Sequence, residues 1–136
     1  MEKEELMLRA MEARHTAYAP YTGFAVGAAL LCRDGQVYTG CNIENAALTA
    51  TNCAERTALF KAVSEGEREF EAIAIVGGKA QEPPRKYCAP CGVCRQALAE
   101  FCGADFRIYL GAEGKPTRAY RLSELLPEAF TPQNLS

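Results

Sequence analysis

The apolar positions along the chain follow two patterns: a helical period of about 3.6 residues, and nearly unbroken runs typical of buried strands. Turns rich in Gly, Pro and Asp separate these segments. The helical pattern predicts helices over residues 2–15, 53–64 and 92–101, and a short helix capped by Ser123 and ended by Pro127. The apolar runs predict strands over residues 24–32, 36–41, 72–76, 106–110 and 117–120.

The order of these segments is helix, hairpin, helix, strand, helix and two further strands. Such an order predicts an α/β fold, in which helices cover a mixed sheet. The length of 136 residues is ordinary for one domain, and no repeat or linker divides it. We therefore expect a single domain over residues 1–136.

Composition and charge narrow the class of function. Hydrophobic residues make up 49% and charged residues 24%, as in a globular protein. The formal net charge is -2, and a polynucleotide-binding protein usually has a basic face, so the charge favours a small-molecule substrate. The charged N-terminus does not resemble a secretory signal, and no apolar run of about 18 residues occurs. We expect a cytoplasmic protein.

Three of the seven cysteines lie at predicted helix starts, within Cys53-Ala54-Glu55 and within Pro90-Cys91-Gly92-Val93-Cys94. Clustered cysteines in a reducing compartment are better interpreted as metal ligands than as disulfides. A helix N-terminus stabilises thiolates, and residues three apart share one face of a helical turn. These thiolates therefore predict a zinc site whose fourth tetrahedral position is open, which is typical of catalytic zinc.

Glu55 lies two residues after Cys53, where it can border the site without being a ligand. Zinc lowers the pKa of a bound water from about 15.7 toward about 7, and a nearby carboxylate can take the proton. The carboxylate can pass that proton to a ring nitrogen and then to a departing amine. Hydrolytic deamination at C4 of cytosine needs these steps, and the two-part motif is that of zinc deaminases.

Three thiolates outweigh the charge of one zinc ion, and ionised Glu55 would add to the excess. Surplus negative charge raises the pKa of zinc-bound water and weakens the nucleophile. Arg56 and Arg95 each directly follow a site residue. We expect at least one of them to hydrogen-bond the thiolates.

Other metal chemistries remain open. A fourth ligand from Cys88 would favour a structural zinc site and a non-catalytic module. Cys88 also completes a Cys-x2-Cys-x2-Cys run that resembles part of an iron–sulfur motif, although the final Cys-Pro element is missing. We interpret Cys88 as a loop residue that takes no part in the site. The remaining cysteines, Cys32, Cys41 and Cys102, are interpreted as core residues, and His15 as a surface residue.

Longer motifs resemble the small homotetrameric cytidine deaminases over residues 6–130. These motifs are Tyr18–Ala29, Gly40–Ala46, Cys53–Ala58, Pro90–Gln96, and Leu125-Leu126-Pro127 with Phe130. The resemblance implies a three-layer α/β/α sandwich with a five-stranded mixed sheet, in a single cytidine deaminase domain. It further implies one Zn²⁺ per chain, a homotetramer, and hydrolysis of cytidine and 2′-deoxycytidine to the uridine forms and ammonia in pyrimidine salvage.

The resemblance also implies how the sugar is bound. Asn42 and Glu44 match residues that hydrogen-bond the ribose hydroxyls, chiefly the 3′-OH. The family usually has Tyr at the position of Leu48, where it reaches a neighbouring subunit's sugar. Because Leu48 has no hydroxyl, losing that bond would cost about 0.5–1.5 kcal/mol and could change substrate preference.

For the base, the resemblance implies that Phe24 packs near the pyrimidine and sugar, and that the backbone of Ala54 addresses the ring. The carbonyl of Ala89 would accept from the exocyclic amine. Phe130 resembles an aromatic donated across a subunit interface toward a neighbouring base pocket. Deamination of a modified cytidine or nucleoside antibiotic, and polynucleotide editing, remain alternatives.

Overall fold

The structure is a computed structural model that describes residues 1–136. The strands are β1 (Phe24–Cys32), β2 (Val37–Cys41), β3 (Phe70–Lys79), β4 (Arg107–Leu110) and β5 (Arg118–Arg121). The α-helices are α1 (Lys3–Ala13), α2 (Ala54–Ser64), α3 (Gly92–Phe101) and α4 (Leu122–Leu125). Short 3-10 helices occupy Arg14–Thr16, Leu48–Ala50 and Pro132–Leu135.

The five strands form one mixed sheet in the order β2-β1-β3-β4-β5. β1 pairs antiparallel with β2 and β3, β3 pairs parallel with β4, and β4 pairs antiparallel with β5. The expected α/β fold with a five-stranded mixed sheet is confirmed. None of the helices is both long enough and apolar enough to cross a bilayer.

Two separate apolar clusters show that helices cover both faces of the sheet. Strand side chains point alternately to opposite faces, so Leu30 and Leu31 of β1 belong to different clusters. The smaller cluster lies under α1, where Leu6 and Ala10 meet Ala74 of β3. The larger cluster combines residues of α2, α3 and the other sheet face. The three layers agree with the expected α/β/α sandwich.

Gly40 in β2 allows α2 to pack directly against the sheet. A Cβ at this position would lie 2.5 Å from the backbone N of Ala58 and 2.6 Å from the carbonyl O of Ala54. Backbone atoms of a helix cannot move aside as a flexible side chain can. The close approach therefore fixes the height of the first turn of α2 above the sheet.

Gly40→Ala is expected to lower the free energy of unfolding by about 1–3 kcal/mol, because overpacking strains the backbone. Denaturant unfolding of zinc-loaded protein measures this change. Gly103→Ala is the matched control, since a Cβ there meets nothing within 4 Å. Equal losses of stability in the two variants would contradict the packing account.

The structure corrects the sequence prediction at one helix cap and in the length of one strand, and most other element bounds move by one or two residues. The predicted cap at Ser123 is wrong: α4 begins at Leu122, and the N-cap is Arg121, whose backbone N–H donates to Oε1 of Glu124 at 2.8 Å. β3 is twice as long as predicted, with 10 residues. The extent of the single domain, residues 1–136, stays a prediction.

Candidate metal and active site

Two helix N-termini bring three cysteine thiols together. Cys53 is the N-cap of α2 and Cys91 is the N-cap of α3, while Cys94 lies in the first turn of α3. The Sγ atoms of Cys53 and Cys91 are 3.8 Å apart, and those of Cys91 and Cys94 are 3.5 Å apart. All three sulfur atoms lie within 4.8 Å of one another.

This arrangement fits a zinc ion. Tetrahedral zinc with bonds of about 2.3 Å to sulfur separates its ligand atoms by about 3.8 Å, close to the distances in this cluster. Thiolates are also ligands that favour zinc over hard cations such as magnesium. Three protein ligands would leave one tetrahedral position for a water or substrate atom, as in catalytic zinc sites.

Neighbouring groups shift the pKa values of two of the thiols in opposite directions. The pKa of Cys53 is lowered to about 5, first because the Cys94 thiol donates to it and then because the Arg56 guanidinium lies beside it. The same hydrogen bond, together with burial, raises the pKa of Cys94. The hydrogen bond thus favours the thiolate at Cys53, and binding of a metal ion to these cysteines releases their protons.

The two candidate arginines behave differently. Arg56 Nη2 lies 3.2 Å from Cys53 Sγ, which places a positive charge against the thiolate cluster. Arg95 instead donates from Nε to the Pro90 carbonyl at 2.8 Å and from Nη1 to the Leu125 carbonyl at 2.7 Å. Arg95 thus ties the start of α3 to the C-terminal segment, and Arg56 is the arginine that reaches a thiol.

Glu55 is held inside the protein at the first turn of α2. Its side chain is 4% exposed, and the Cys94 thiol is among its neighbours. Burial raises the pKa of Glu55 to about 7. A carboxyl group with such a pKa can accept and release a proton near neutral pH, which is what a proton shuttle requires.

Cys88 lies outside the three-sulfur cluster, although it is near the site. Burial, followed by the charges of Glu55 and Cys53, raises the pKa of Cys88 to about 11, so it remains a neutral thiol. The structure brings no fourth cysteine into the cluster. This disfavours the four-ligand structural zinc site that Cys88 would have completed.

Asn42 and Glu44 are buried and already hold the backbone around them. Asn42 Oδ1 accepts from the Val26 N–H, and Nδ2 donates to the Phe24 carbonyl, each at 2.8 Å. Glu44 Oε1 accepts from the Tyr21 N–H at 2.9 Å, and its other oxygen accepts from a hydroxyl. Each side chain keeps further donor or acceptor capacity, since an amide has two N–H groups and a carboxylate about four lone pairs.

The hydroxyl that donates to Glu44 belongs to Thr22, a residue that sequence reasoning did not single out. The Thr22 hydroxyl, together with the backbone N–H groups of Tyr21 and Thr22, lowers the pKa of Glu44. Glu44 therefore stays ionised and acceptor-only near neutral pH. The signal that could have found Thr22 was its place inside the Tyr18–Ala29 motif.

The remaining candidate residues are exposed, with the exception of Ala54. Phe24, Leu48 and Phe130 expose 41%, 76% and 59% of their area. Ala54 is fully buried at the start of α2, and Ala89 is exposed just before buried Pro90. The Phe130 carbonyl accepts from Gln96 Nε2 at 2.8 Å, which fixes the C-terminal segment on α3.

Three cysteine thiols that fit a zinc ion, next to a buried carboxyl group in a three-layer α/β/α fold, are typical of a zinc-dependent hydrolytic enzyme. The model of the cytidine and deoxycytidylate deaminase zinc-binding region matches residues 1–110. The chain belongs to this family of zinc-binding deaminases.

Named relatives agree with this assignment. A cytidine deaminase of Halalkalibacterium halodurans is 50% identical over 136 residues, which are 100% of this chain and 99% of the relative. The crystal structure of a cytidine deaminase from Burkholderia pseudomallei matches with a TM-score of 0.87 and 45% identity, covering 96% of this chain and 100% of that one. The cytidine deaminase structure from Mycobacterium tuberculosis matches with a TM-score of 0.81 and 40% identity, covering 96% and 98%.

Proposed function

We propose that this protein hydrolyses cytidine and 2′-deoxycytidine to uridine and 2′-deoxyuridine with release of ammonia, as a step of pyrimidine salvage. The observation that carries the proposal is the meeting of three thiols with buried Glu55 at the N-termini of α2 and α3. The ligands of the single Zn²⁺ are Cys53, Cys91 and Cys94.

Zinc at this site supplies Lewis-acid activation of a water molecule at neutral pH. Glu55 supplies the proton transfers: its carboxylate takes a proton from the attacking water and delivers it to N3 of the cytosine ring. Glu55 then carries the second proton of that water to the departing amine at C4. Both transfers need one carboxyl group close to the reacting carbon, and the first turn of α2 places Glu55 directly after the ligand Cys53.

The nucleoside is recognised by residues around this centre. We assign Asn42 and Glu44 to the ribose hydroxyls, with the amide donating and the carboxylate accepting. Phe24 packs on the pyrimidine and sugar, and the carbonyl of Ala89 accepts from the exocyclic amine. The Ala54 backbone at the helix start addresses the ring.

We further propose that the chain acts as a cytoplasmic homotetramer. Several large apolar side chains are exposed, including Leu48 and Phe130, and burial between subunits would remove them from water. In this proposal Phe130 reaches the base pocket of a neighbouring subunit. Leu48 approaches the sugar there without offering a hydroxyl.

Arg56→Gln is expected to lower kcat about 10–100-fold, because a neighbour of a metal ligand tunes the site. Loss of the positive charge raises the pKa of the activated water, so the acidic limb of the pH–rate profile moves to higher pH. Exposed Arg85→Gln is the matched control. An unchanged profile in the zinc-loaded Arg56 variant would exclude charge tempering by this arginine.

A nucleoside panel with ammonia release as the readout tests the proposed function. Cytidine and 2′-deoxycytidine should be turned over. Free cytosine should not, because it lacks the sugar hydroxyls that Asn42 and Glu44 bind. Leu48→Tyr should lower KM for cytidine by about 2–10-fold through one added hydrogen bond. Leu48→Phe adds the ring without the hydroxyl and should lack this gain.

Three outcomes of the panel would overturn parts of the proposal. Comparable turnover of cytosine would show that Asn42 and Glu44 do not select the substrate through its sugar. Turnover confined to a modified cytidine or nucleoside antibiotic would favour that alternative substrate. Absence of turnover in zinc-loaded protein would favour a non-catalytic module.

A further inference from the structure

We propose that Arg14 is a positioning residue that aligns two walls of the nucleoside pocket, the first residues of β1 and the loop from the end of β3 to Pro90. The inference rests on the proposed nucleoside deamination. It concerns a side chain outside the zinc cluster.

Arg14 is a buried cation that is bound by main-chain carbonyls. Its side chain follows α1 directly and is 7% exposed. Nε donates to the Ala25 carbonyl at 2.9 Å, and Nη2 lies 2.8–3.2 Å from three further carbonyl oxygens. These three acceptors belong to Gly78, Lys79 and Glu82.

No carboxylate pairs with Arg14, since the ion pairs of the structure involve Arg33, Arg85 and Arg121. A buried charge is costly to desolvate unless several hydrogen bonds satisfy it. Burial accordingly lowers the pKa of Arg14. The planar guanidinium offers five donors in a fixed fork, so its carbonyl acceptors are held in one relative arrangement.

The first wall is the start of β1. Ala25, the acceptor of Arg14 Nε, lies between the two residues whose backbone groups bond the Asn42 side chain. Those residues are Phe24 and Val26. The first three residues of β1 are therefore fixed from one side by Asn42 and from the other by Arg14, and Phe24 takes its position from them.

The second wall is the segment after β3. Gly78 and Lys79 end that strand, and Glu82 lies in the loop that leads to Cys88 and Ala89. Arg14 thus fixes the departure of this loop from the sheet. The loop is held further along by the Glu113 N–H, which donates to the Pro84 carbonyl at 2.7 Å, and by the Tyr87 hydroxyl, which donates to the Pro116 carbonyl at 2.6 Å. Arg14 therefore contributes to the position of the Ala89 carbonyl as the first of these anchors.

The two walls meet beside Gly77. A Cβ at Gly77 would lie 3.0 Å from Cys88 Sγ and 3.2 Å from Cε2 of the Phe24 ring. The Phe24 ring and the Cys88 thiol therefore come together at Gly77, the residue before Gly78, whose carbonyl accepts from Arg14. A shift at Arg14 would change the distance between the surfaces that enclose the base.

The zinc ligands and Glu55 are carried by α2 and α3, and Arg14 makes no hydrogen bond to either helix. Loss of the guanidinium fork should therefore weaken nucleoside binding more than it affects the chemical step. A merely structural role would give a different result, with lower stability and an unchanged KM in the folded fraction.

The test is Arg14→Lys in the full-length zinc-loaded enzyme, with kcat, KM for cytidine, zinc content and Tm measured together. One ammonium cannot reproduce the fork, so KM should rise about tenfold while kcat per bound zinc stays within about twofold. Arg33→Lys, at an exposed arginine, should leave both constants unchanged. If Arg14→Lys yields no folded protein, Arg14→Gln, which keeps two N–H donors, is measured in the same way.

The outcomes separate the two proposals. A lower Tm with unchanged KM overturns the positioning role, as does a fall in kcat that follows zinc loss. Failure of both variants to fold also overturns it, because Arg14 would then hold the fold rather than the pocket. Absence of cytidine turnover in the wild-type enzyme instead overturns the proposed function.

Discussion

Glu55→Gln is expected to keep its zinc and to lose cytidine turnover by roughly 10²–10⁴-fold, the usual contribution of a general acid–base group. Glutamine has nearly the shape of glutamate but cannot accept the proton of the attacking water. Glu55 is 4% exposed, so solvent has poor access to replace it as a proton acceptor. The loss should fall on kcat, because the carboxylate acts in the proton-transfer steps.

Three measurements separate this outcome from a structural defect. Zinc content and Tm of Glu55→Gln should stay near the wild-type values, while kcat alone collapses. Glu100→Gln makes the same exchange at an exposed position of α3 and should retain full activity. Near-normal kcat in Glu55→Gln would remove this residue from the mechanism.

Cys91→Ser is expected to lose both zinc and activity. A serine hydroxyl is a far poorer zinc ligand than a thiolate, and only two thiolates would remain. Zinc binding is worth roughly 10–16 kcal/mol in four-ligand structural sites, so the share of one ligand is about 2.5–4 kcal/mol. That corresponds to about a hundredfold to a thousandfold weaker zinc binding.

A competitive chelator titration measures the zinc affinity, and thermal unfolding with and without zinc checks the link to stability. Cys41→Ser is the matched control, since Cys41 lies in β2 outside the sulfur cluster. If Cys91→Ser kept the zinc affinity of the wild type, another group would have to be the ligand. Cys88 would be the first candidate.

Local pattern predicted most of the fold. β1 has the bounds that its apolar run indicated, residues 24–32, and α3 has those that the helical period indicated, residues 92–101. β3 was predicted too short, because its ends are defined by pairing with β1 rather than by an apolar run. Phe24 pairs with Lys79, and Ala25 pairs with Gly78, contacts that local composition does not reveal.

Spacing singled out the three cysteines that the structure brings together, but it could not separate the two arginines. Arg56 and Arg95 each follow a site residue, so the sequence treats them alike. The two side chains have different partners because of a segment that is distant in sequence. The Leu125 carbonyl lies near the start of α3 and accepts from Arg95. Arg14 was missed for the same reason, because all its acceptors are backbone carbonyls that the fold brings together.

We propose that one zinc ion on three cysteine thiolates makes this chain a cytidine deaminase. The most direct test prepares the wild-type protein free of metal, restores zinc in steps, and measures ammonia released from cytidine at each step. Ammonia release should rise in proportion to bound zinc and reach its plateau at one zinc per chain. Full activity without zinc, or no activity at one zinc per chain, would contradict the claim.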